Sequence, residues 1–318
     1  MNTSSLQNPF RLGLVGAGRM GQTHLRALTD SPTVRITDIA DPMAQTRERF
    51  ARGGFNTHPS VDDLLSYGGV DGLLIAAPTG NHLQLIRAAA TAGIPVLCEK
   101  PAGLTSGQIR EAGQIAAQHR IAFQVAYWRR FVPDLLALRE QIRSGALGEI
   151  HLIIGFQWDE HPPSQAFRAG SGGIFIDMGV HEFDMIRWLT GQQITYASAV
   201  CADPAGRTRA SHDCDSAQVL MRLSDGSTAL VSLGRFFPRG DMVEVETFGR
   251  LDHSRITVID PTHGEGAMLD ALRRQAEAFA AYATSGRPSG ANTEDALAAL
   301  LAAEEATQSI QHIQAEDR

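Results

Sequence analysis

The sequence predicts an α/β domain built on a doubly wound parallel sheet, followed by an α+β domain with an open, mainly antiparallel sheet. Over about the first 125 residues, short apolar runs alternate with amphipathic helical patterns, which is typical of βαβ units. From residue 149 onward, strand-like runs follow one another without helices between them. At 318 residues the chain exceeds the usual size of a single core. We therefore predict two domains, 1–126 and 127–318.

The first domain is predicted from its apolar runs. The predicted strands are Leu12–Val15, Val34–Ala40, Val70–Ala77, Val96–Cys98 and Ala122–Val125. Amphipathic stretches at Asn81–Ala92 and Thr105–His119 predict helices that cover the sheet. Because βαβ crossovers are right-handed, the carboxyl ends of these strands should share one edge of a doubly wound sheet.

The second domain begins with a helical pattern and then changes to strands. The predicted helices are Pro133–Ser144 and, at the end of the chain, Met268–Tyr282 and Thr293–Ile310. The predicted strands are Glu149–Gln157, Ile194–Ala202, Ser216–Leu223, Thr228–Leu233, Met242–Thr247 and Leu251–Val258. Asp225-Gly226 lies between two of these strands and is typical of a hairpin turn, which indicates antiparallel pairing.

Charge and cysteine content exclude several classes of protein. A net charge of −7 argues against nucleic-acid and anionic membrane partners, and no apolar run approaches the ~20 residues that span a bilayer. The first residues lack the basic start and long apolar stretch of a leader. The cysteines Cys98, Cys201 and Cys214 are odd in number and have no CxxC spacing, which favours a reducing compartment. We therefore expect a cytoplasmic protein.

A glycine-rich turn follows the first predicted strand. The run Gly16-Ala17-Gly18-Arg19-Met20-Gly21 has the spacing GxGxxG. In a dinucleotide site the first glycine permits the tight turn, the second lets the backbone approach a pyrophosphate, and the third lets the helix pack on the strand. The helix N-terminus then offers unpaired N–H groups to the phosphates. A purely structural turn is the alternative, but the position at the start of a βαβ series favours a dinucleotide.

An acidic residue closes the second predicted strand. Asp41 lies 20 residues after Gly21, at the offset expected for a carboxylate that binds the adenosine ribose. Asp38 is the competing carboxylate, although it falls inside the strand, and a plain turn residue before Pro42 is the structural alternative. A carboxylate at this place would repel a 2′-phosphate, so we expect NAD rather than NADP.

Polar residues also follow the next two strands, at the edge where open α/β sheets bind ligands. One set is Thr79, Asn81 and His82, next to Ala77 at the end of its strand, and the other is Glu99 and Lys100. An amine at Lys100, near a nicotinamide, could stabilise the developing alkoxide of an alcohol. A surface lysine beside a proline turn is the alternative.

The second domain contains a candidate acid–base pair. If the run from Asp177 is helical, Asp177 and His181 are four residues apart and share one face. A carboxylate beside an imidazole can orient it for removing a hydroxyl proton as hydride leaves. The alternative is an N-capping aspartate with an unrelated histidine. The segment beginning at His181 lacks the second histidine of HExxH, and we expect no metal site.

These segments together resemble the family of glucose–fructose oxidoreductase, inositol dehydrogenase and the rhizopine-catabolism protein (Gfo/Idh/MocA), and within it the inositol 2-dehydrogenases. The resemblance rests on the glycine fingerprint, Glu99-Lys100-Pro101 and the Gly-Gly-x-x-x-Asp-x-Gly-x-His stretch that ends at His181. It extends to Tyr127-Trp128-Arg129-Arg130-Phe131 and to Ser144-Gly145-Ala146-Leu147-Gly148-Glu149-Ile150.

The resemblance implies an N-terminal Rossmann domain and a C-terminal sheet that often forms the interface of homodimers or homotetramers. It implies that Lys100, Asp177 and His181 are the catalytic set. By the same likeness, Thr79, Asn81 and His82 would line the cofactor cleft. The substrate site is expected to include Trp158 and Asp159, and we add Arg129 to it.

We expect an NAD-dependent dehydrogenase that acts on a secondary hydroxyl of a cyclic polyol or sugar. An aldose 1-dehydrogenase that forms a lactone would use the same three groups and stays open. A regulator that binds NAD without turnover also stays open, although it does not need Lys100, Asp177 and His181 together. Arg129, Arg130 and Arg168 leave room for a phosphate or carboxylate substrate, since a guanidinium suits either anion, but a neutral substrate is favoured.

Overall fold

A computed structural model of the chain describes residues 8–202, 213–262 and 264–316. These residues form two compact units. The first unit takes in 8–102, 110–126 and 272–293, and the second takes in 103–109, 127–271 and the residues from 294 onward. A stretch near the C-terminal end, 272–293, therefore belongs to the first unit, and a single division after residue 126 does not include it.

The first unit contains a parallel six-stranded sheet with the order β3-β2-β1-β4-β5-β6. All five strand pairs are parallel. The strands are β1 (Phe10–Val15), β2 (Val34–Ala40), β3 (Asn56–His58), β4 (Gly72–Ile75), β5 (Val96–Cys98) and β6 (Phe123–Val125). The helices between them are α1 (Arg19–Ala27), α2 (Ala44–Arg52), α3 (Val61–Tyr67), α4 (His82–Thr91) and α5 (Ser106–His119). The predicted doubly wound sheet is confirmed.

The core of the first unit lies along the central strands and is completed by a distant helix. Leu12, Leu14 and Leu74 are fully buried, as expected for parallel strands covered on both faces. Phe279, from helix α9 (Gly266–Ser285), is fully buried in the same cluster. Its ring meets the ring of Phe10 edge to face at a centroid distance of 6.2 Å. The returning segment is thus part of this core.

The second unit contains a six-stranded sheet with the order β12-β11-β7-β10-β9-β8. Its strands are β7 (Ile150–Trp158), β8 (Ile194–Ala202), β9 (Ser216–Leu223), β10 (Thr228–Gly234), β11 (Met242–Gly249) and β12 (His253–Ile259). Four of the five pairs are antiparallel, whereas β7 and β10 run parallel. The predicted open, mainly antiparallel sheet is confirmed. The parallel pair at its centre was not predicted.

Burial alternates along the strands of this second sheet, so the residues that the structure describes cover one of its faces more than the other. The other face carries exposed apolar side chains. Tyr196 and Val200 of β8 and Leu220 of β9 are 49%, 56% and 54% exposed. These three residues define what we call the outer sheet patch.

The helices of the second unit are α6 (Pro133–Arg143), α7 (Gln165–Gly170), α8 (Val180–Thr190) and α10 (Thr293–Glu316). Of these, α8 contacts β7 and α6 contacts β12. Helix α8 follows directly on a π-helical turn at Phe175–Gly179. It packs on β7, where Gly155 leaves room for Glu182 and Met185. Because the first residues of α8 lie against the sheet, their side chains are held in a buried environment.

The cysteines do not all remain reduced. Cys201 in β8 and Cys214 just before β9 form a disulfide, with their Cα atoms 5.9 Å apart, and Cys98 is a buried thiol. The cysteine pattern, from which we expected a reducing compartment, did not indicate this disulfide. The separation of 13 residues between the two cysteines gives no indication that adjacent antiparallel strands bring them together.

Among the described residues, no helix is both long enough and apolar enough to cross a membrane. Residues 1–7, on which the expectation about a leader partly rests, lie outside the described part of the chain.

Candidate active site

The glycine-rich turn lies where β1 gives way to α1. Gly16 has a φ of +91°, and a Cβ there would come within 2.8 Å of the Ala77 backbone. At Gly21 a Cβ would overlap the carbonyl oxygen of Gly16, so the third glycine is needed for the helix to approach the strand. At Gly18, by contrast, a Cβ would meet nothing within 4 Å. This second glycine therefore has no packing requirement in the described fold, and its space is open to a ligand.

Asp41 is fixed against this turn. Its carboxylate accepts hydrogen bonds from the backbone N–H of Ala17 (3.0 Å) and of Met43 (2.9 Å), and the residue is buried. The competing carboxylate, Asp38, lies inside β2 and is bound to His58 of β3 at 2.9 Å. Asp41 thus hydrogen-bonds to the glycine-rich turn, whereas Asp38 is bound to the neighbouring strand. This difference favours Asp41 as the ligand of the ribose.

The residues after β4 form a short turn that leads into α4. Thr79 and Asn81 lie in a single 3₁₀ turn, half-buried and exposed respectively. His82 is buried, with Nδ1 2.9 Å from the carbonyl oxygen of Pro101 and Nε2 2.8 Å from that of Ala77. Burial lowers the pKa of His82, so the neutral ring donates to one of these carbonyls at a time. His82 thus joins two strand-end turns, and its predicted contact with a cofactor stays a prediction.

Glu99 and Lys100 follow β5. The buried Glu99 carboxylate lies 2.7 Å from Nε2 of His24 and accepts from the backbone N–H of Lys100 at 3.1 Å. Burial by itself would raise the pKa of Glu99, but the hydrogen bond and charge of His24, together with Lys100, outweigh it and lower the pKa. The backbone of Lys100 is thereby held in place, while its side chain is half-buried.

The second unit carries Asp177 and His181 on one helical run. Asp177 lies in the π-helical turn and His181 in the first turn of α8. The predicted helix is present, but it begins with a wider turn than an α-helix, a feature often found at functional sites. His181 is buried, and its ring meets that of Tyr127 edge to face at 6.1 Å. The carboxylate of Asp177 is 2.7 Å from Nη1 of Arg235.

Trp158 and Asp159 lie at the end of β7. The Trp158 ring covers Gly234 of β10, and its Nε1 donates to Ser232 at 3.1 Å. Burial, followed by the charges of Asp241 and Asp177, raises the pKa of Asp159, although Gln157 and Arg235 act in the opposite direction. The structure therefore brings Asp159 and Asp177 to neighbouring positions within this unit.

Three arginines left an anionic substrate possible on sequence grounds. All three are bound to carboxylates of the second unit. Arg129 is buried against Glu182 and donates to Gln157 at 2.9 Å. Arg130 pairs with Asp184 and Asp295 at 2.6 and 3.1 Å, and Arg168 pairs with Asp213 and Asp215 at 3.2 and 2.9 Å. Their charges are already compensated inside the protein.

Arg235 binds Asp177, but the sequence pattern did not predict that it belongs to the site. It follows β10, and the parallel register pairs Gly234 with Trp158, so Arg235 and Asp159 leave the sheet side by side. A sequence that reads as consecutive hairpins gives no sign of this pairing. Recognition of a parallel β7–β10 pair would have placed Arg235 beside the predicted substrate residues.

Comparisons with known proteins match most of the chain. The GFO/IDH/MocA oxidoreductase family model, an NAD-binding Rossmann fold, matches residues 10–127, and the GFO/IDH/MocA C-terminal domain model matches residues 135–255. The chain is 47% identical to the rhizopine catabolism protein MocA of Rhizobium meliloti over 299 residues, which are 94% of each chain. It is 29% identical to inositol 2-dehydrogenase of Rhizobium meliloti strain 1021, over 94% of this chain and 96% of that one.

A solved structure shares the fold over nearly the whole chain. It is that of scyllo-inositol dehydrogenase from Lactobacillus casei with bound cofactor NAD(H) and scyllo-inositol. Its sequence identity is 26% and its TM-score 0.86, with 96% of this chain and 98% of that chain covered.

Proposed function

The chain belongs to the GFO/IDH/MocA oxidoreductase family, and we propose that it transfers a hydride between NAD and a secondary hydroxyl of a neutral cyclic polyol or sugar. The family makes it a dehydrogenase with a nicotinamide cofactor. The observation that carries the finer proposal is the solved relative that holds NAD(H) and scyllo-inositol on a fold this chain shares.

The residues of the first unit fit a dinucleotide. The open space at Gly18 and the N-terminus of α1 suit a pyrophosphate, and the buried carboxylate of Asp41 suits ribose hydroxyls. The nicotinamide, when bound, supplies the acceptor or donor of the hydride. We propose that the remaining contacts come from the strand-end turns that contain Ala77, Thr79, Asn81, His82, Glu99 and Lys100.

Three side chains would carry the proton and charge of the reaction. We propose that Lys100 donates a hydrogen bond to the reacting oxygen and stabilises the charge that develops on it. His181 accepts the hydroxyl proton. Asp177 binds a neighbouring hydroxyl, and Trp158 and Asp159 offer an apolar ring and an acceptor to the polyol. The protein accelerates the reaction mainly by holding the reacting atoms in position.

A neutral substrate is supported by the state of the arginines. Arg129, Arg130 and Arg168 are each bound to at least one carboxylate. Binding an anion through one of these three side chains would require its guanidinium to leave a buried partner, which costs free energy. A neutral polyol can bind without breaking these ion pairs.

The proposal is tested by following NADH absorbance with a panel of substrates. The panel holds the inositol epimers, pyranoses such as glucose, and the phosphates of each. We expect efficient oxidation of one or more inositols. Turnover of pyranoses alone, with a lactone as the product, would identify an aldose 1-dehydrogenase, and turnover of phosphates alone would contradict the neutral substrate. Tight NAD binding with no turnover of any compound would favour a regulator.

Asp41→Ser is expected to narrow the preference for NAD over NADP. Loss of the carboxylate removes an acceptor for ribose hydroxyls and a repulsion against a 2′-phosphate, so kcat/KM with NAD should fall about tenfold or more while that with NADP rises. Both values are measured in the same buffer.

Asp38→Asn is the matched control for this change, because Asp38 pairs with His58 rather than with the glycine-rich turn. It should leave the preference as it is. A wild-type protein that prefers NADP would show that the ribose contact is misassigned.

We also propose that the protein is a homodimer or homotetramer. The outer sheet patch of Tyr196, Val200 and Leu220 leaves apolar side chains in water in a lone chain, and such patches usually mark interfaces. Light scattering should give a multiple of 34.3 kDa, and Leu220→Glu should reduce it. Leu251→Glu, at an exposed leucine between strands, is the control. A wild-type mass of one chain at micromolar concentration would refute the proposal.

A cytoplasmic location is likewise a proposal. Its support is the cysteine content of the sequence, three residues with no CxxC spacing. The Cys201–Cys214 disulfide stands against it, since such bonds are rare in reducing compartments. Thiol titration of the protein taken directly from the cytoplasm measures which state the pair adopts there.

A further inference from the structure

A chain of alternating charges runs through the second unit behind Asp177. Arg235 is fully buried. Its Nη1 donates to Oδ2 of Asp177 at 2.7 Å, and its Nη2 lies 3.1 Å from Oδ2 of Asp213. One guanidinium therefore links the predicted catalytic carboxylate to a second, fully buried carboxylate.

The far side of Asp213 is also occupied. Arg168 lies 3.2 Å from the same Asp213 oxygen and 2.9 Å from Asp215, and it donates to the carbonyl oxygen of Cys214 at 3.2 Å. The backbone N–H of Arg235 donates to the carbonyl oxygen of Asp215 at 2.8 Å. Both ends of Arg235, its backbone and its side chain, are thus fixed by the segment that precedes β9.

A buried arginine of this kind is costly unless its partners are well placed, and removing one partner of such a pair is strongly unfavourable. Asp177, in contrast, retains some exposure, its side chain being 15% accessible. Its carboxylate is therefore partly exposed, while its Oδ2 atom is bound to the Arg235 guanidinium, which cannot lose its charge.

Asp177 does not stand alone as a carboxylate. Arg235 binds it, Asp213 shares that guanidinium, and His181 follows four residues later on the same helical run. The charge of Asp177 also acts on Asp159, as does that of Asp241. Asp159 is close enough that the charge of Asp177 contributes to raising the pKa of Asp159, and Arg235 acts against that rise. The positive charge of Arg235 thus acts on both Asp177 and Asp159.

We propose that Arg235 is a positioning residue for the dehydrogenation: it fixes the orientation and the negative charge of the Asp177 carboxylate that receives a substrate hydroxyl. This rests on the proposed function. Asp213 and Arg168 serve to hold Arg235 rather than to touch substrate.

The first test is steady-state kinetics of the full chain with NAD and the inositol that the wild type oxidises fastest. Arg235→Met should lower kcat/KM for the inositol about 100-fold, while the KM for NAD stays within about threefold. Arg235→Lys should recover part of the loss, because it keeps the charge but not the fork that spans Asp177 and Asp213.

Arg187→Met is the matched control. Arg187 is also a mostly buried arginine of the second unit, but its partners are Asp295 at 3.7 Å and Gln193 at 2.8 Å. It should lose some thermal stability and keep kcat/KM within about threefold of the wild type.

The second test does not depend on turnover. Aspartate carboxyl carbons are labelled with ¹³C, and the Asp177 signal is identified as the one missing from Asp177→Asn. Since a neighbouring cation favours the ionised form, this signal should reach its protonated position at a higher pH in Arg235→Met than in the wild type. If Arg235→Met does not fold, Arg235→Gln takes its place.

The outcomes separate the two proposals. If the wild type oxidises no compound of the panel, the proposed function fails and the Asp177 titration alone decides the role of Arg235. An unchanged titration, or a fall in kcat/KM no larger than that of Arg187→Met, overturns the role of Arg235 and leaves the proposed function intact.

Discussion

Lys100→Ala is expected to lower turnover by at least about 100-fold while NAD still binds. The amine contributes mainly when charge develops on the reacting oxygen, so its loss should appear in kcat rather than in cofactor affinity. The backbone at residue 100 should keep its position in Lys100→Ala, because its N–H donates to the Glu99 carboxylate. That carboxylate is in turn bound to His24.

Lys100 is the only lysine among the 318 residues. Reductive methylation therefore acts on one side-chain amine, which gives a second way to alter the same group without mutation. Lys100→Arg keeps the charge in a larger, planar group and should restore only part of the activity. Turnover near that of the wild type in folded Lys100→Ala, with NAD binding measured by fluorescence, would remove Lys100 from the mechanism.

His181→Ala is expected to abolish most of the activity, by about 100-fold or more, because it removes the group that accepts the hydroxyl proton. The nearest aromatic hydroxyl in this unit does not replace it. Burial raises the pKa of Tyr127 well above its usual value, so that phenol stays protonated and does not act as a base. Oxidation by the wild type should also decline toward acid pH, since a protonated imidazole accepts no further proton.

The pH profile of His181→Ala provides the check. Its residual activity should lack the decline toward acid pH, and added imidazole should restore part of the rate. His151→Ala, at an exposed position of β7, is the control and should behave as the wild type. Persistence of the acid decline in His181→Ala would assign that ionisation, and the proton acceptor, to another residue.

Strands with strong apolar patterns were predictable, and weakly patterned ones were not. Val34–Ala40, Ile194–Ala202 and Ser216–Leu223 have the bounds that their alternation or apolar content predicts. The strand Asn56–His58 was missed, because three polar residues carry no such pattern and join the sheet through pairing with β2. The parallel pairing of β7 with β10 depends on contacts about 75 residues apart in sequence, which local patterns do not encode.

The candidate site could be predicted from sequence where its residues lie in local motifs, and its residue roles stay predictions. The glycine-rich turn and Asp41 follow from spacing along one βαβ unit. The ion pair between Asp177 and Arg235 does not follow from local spacing. The first residue lies in a π-helical turn and the second at the end of a strand 58 positions later. The same holds for Arg129, whose buried partner Glu182 is 53 positions away. Arginine next to a strand end looks the same in sequence whether it binds substrate or a carboxylate of the protein.

The return of residues 272–293 to the first unit has a consequence for how the protein is made. A ribosome releases all six strands of the first sheet long before Phe279, which fills part of their core. At roughly 5–20 residues per second, translation of the intervening stretch takes on the order of ten seconds. For that time the nascent first unit keeps apolar surface open to water, the surface on which chaperones act and from which aggregation starts. The unit whose strands are synthesised first therefore cannot complete its core until most of the chain has been made.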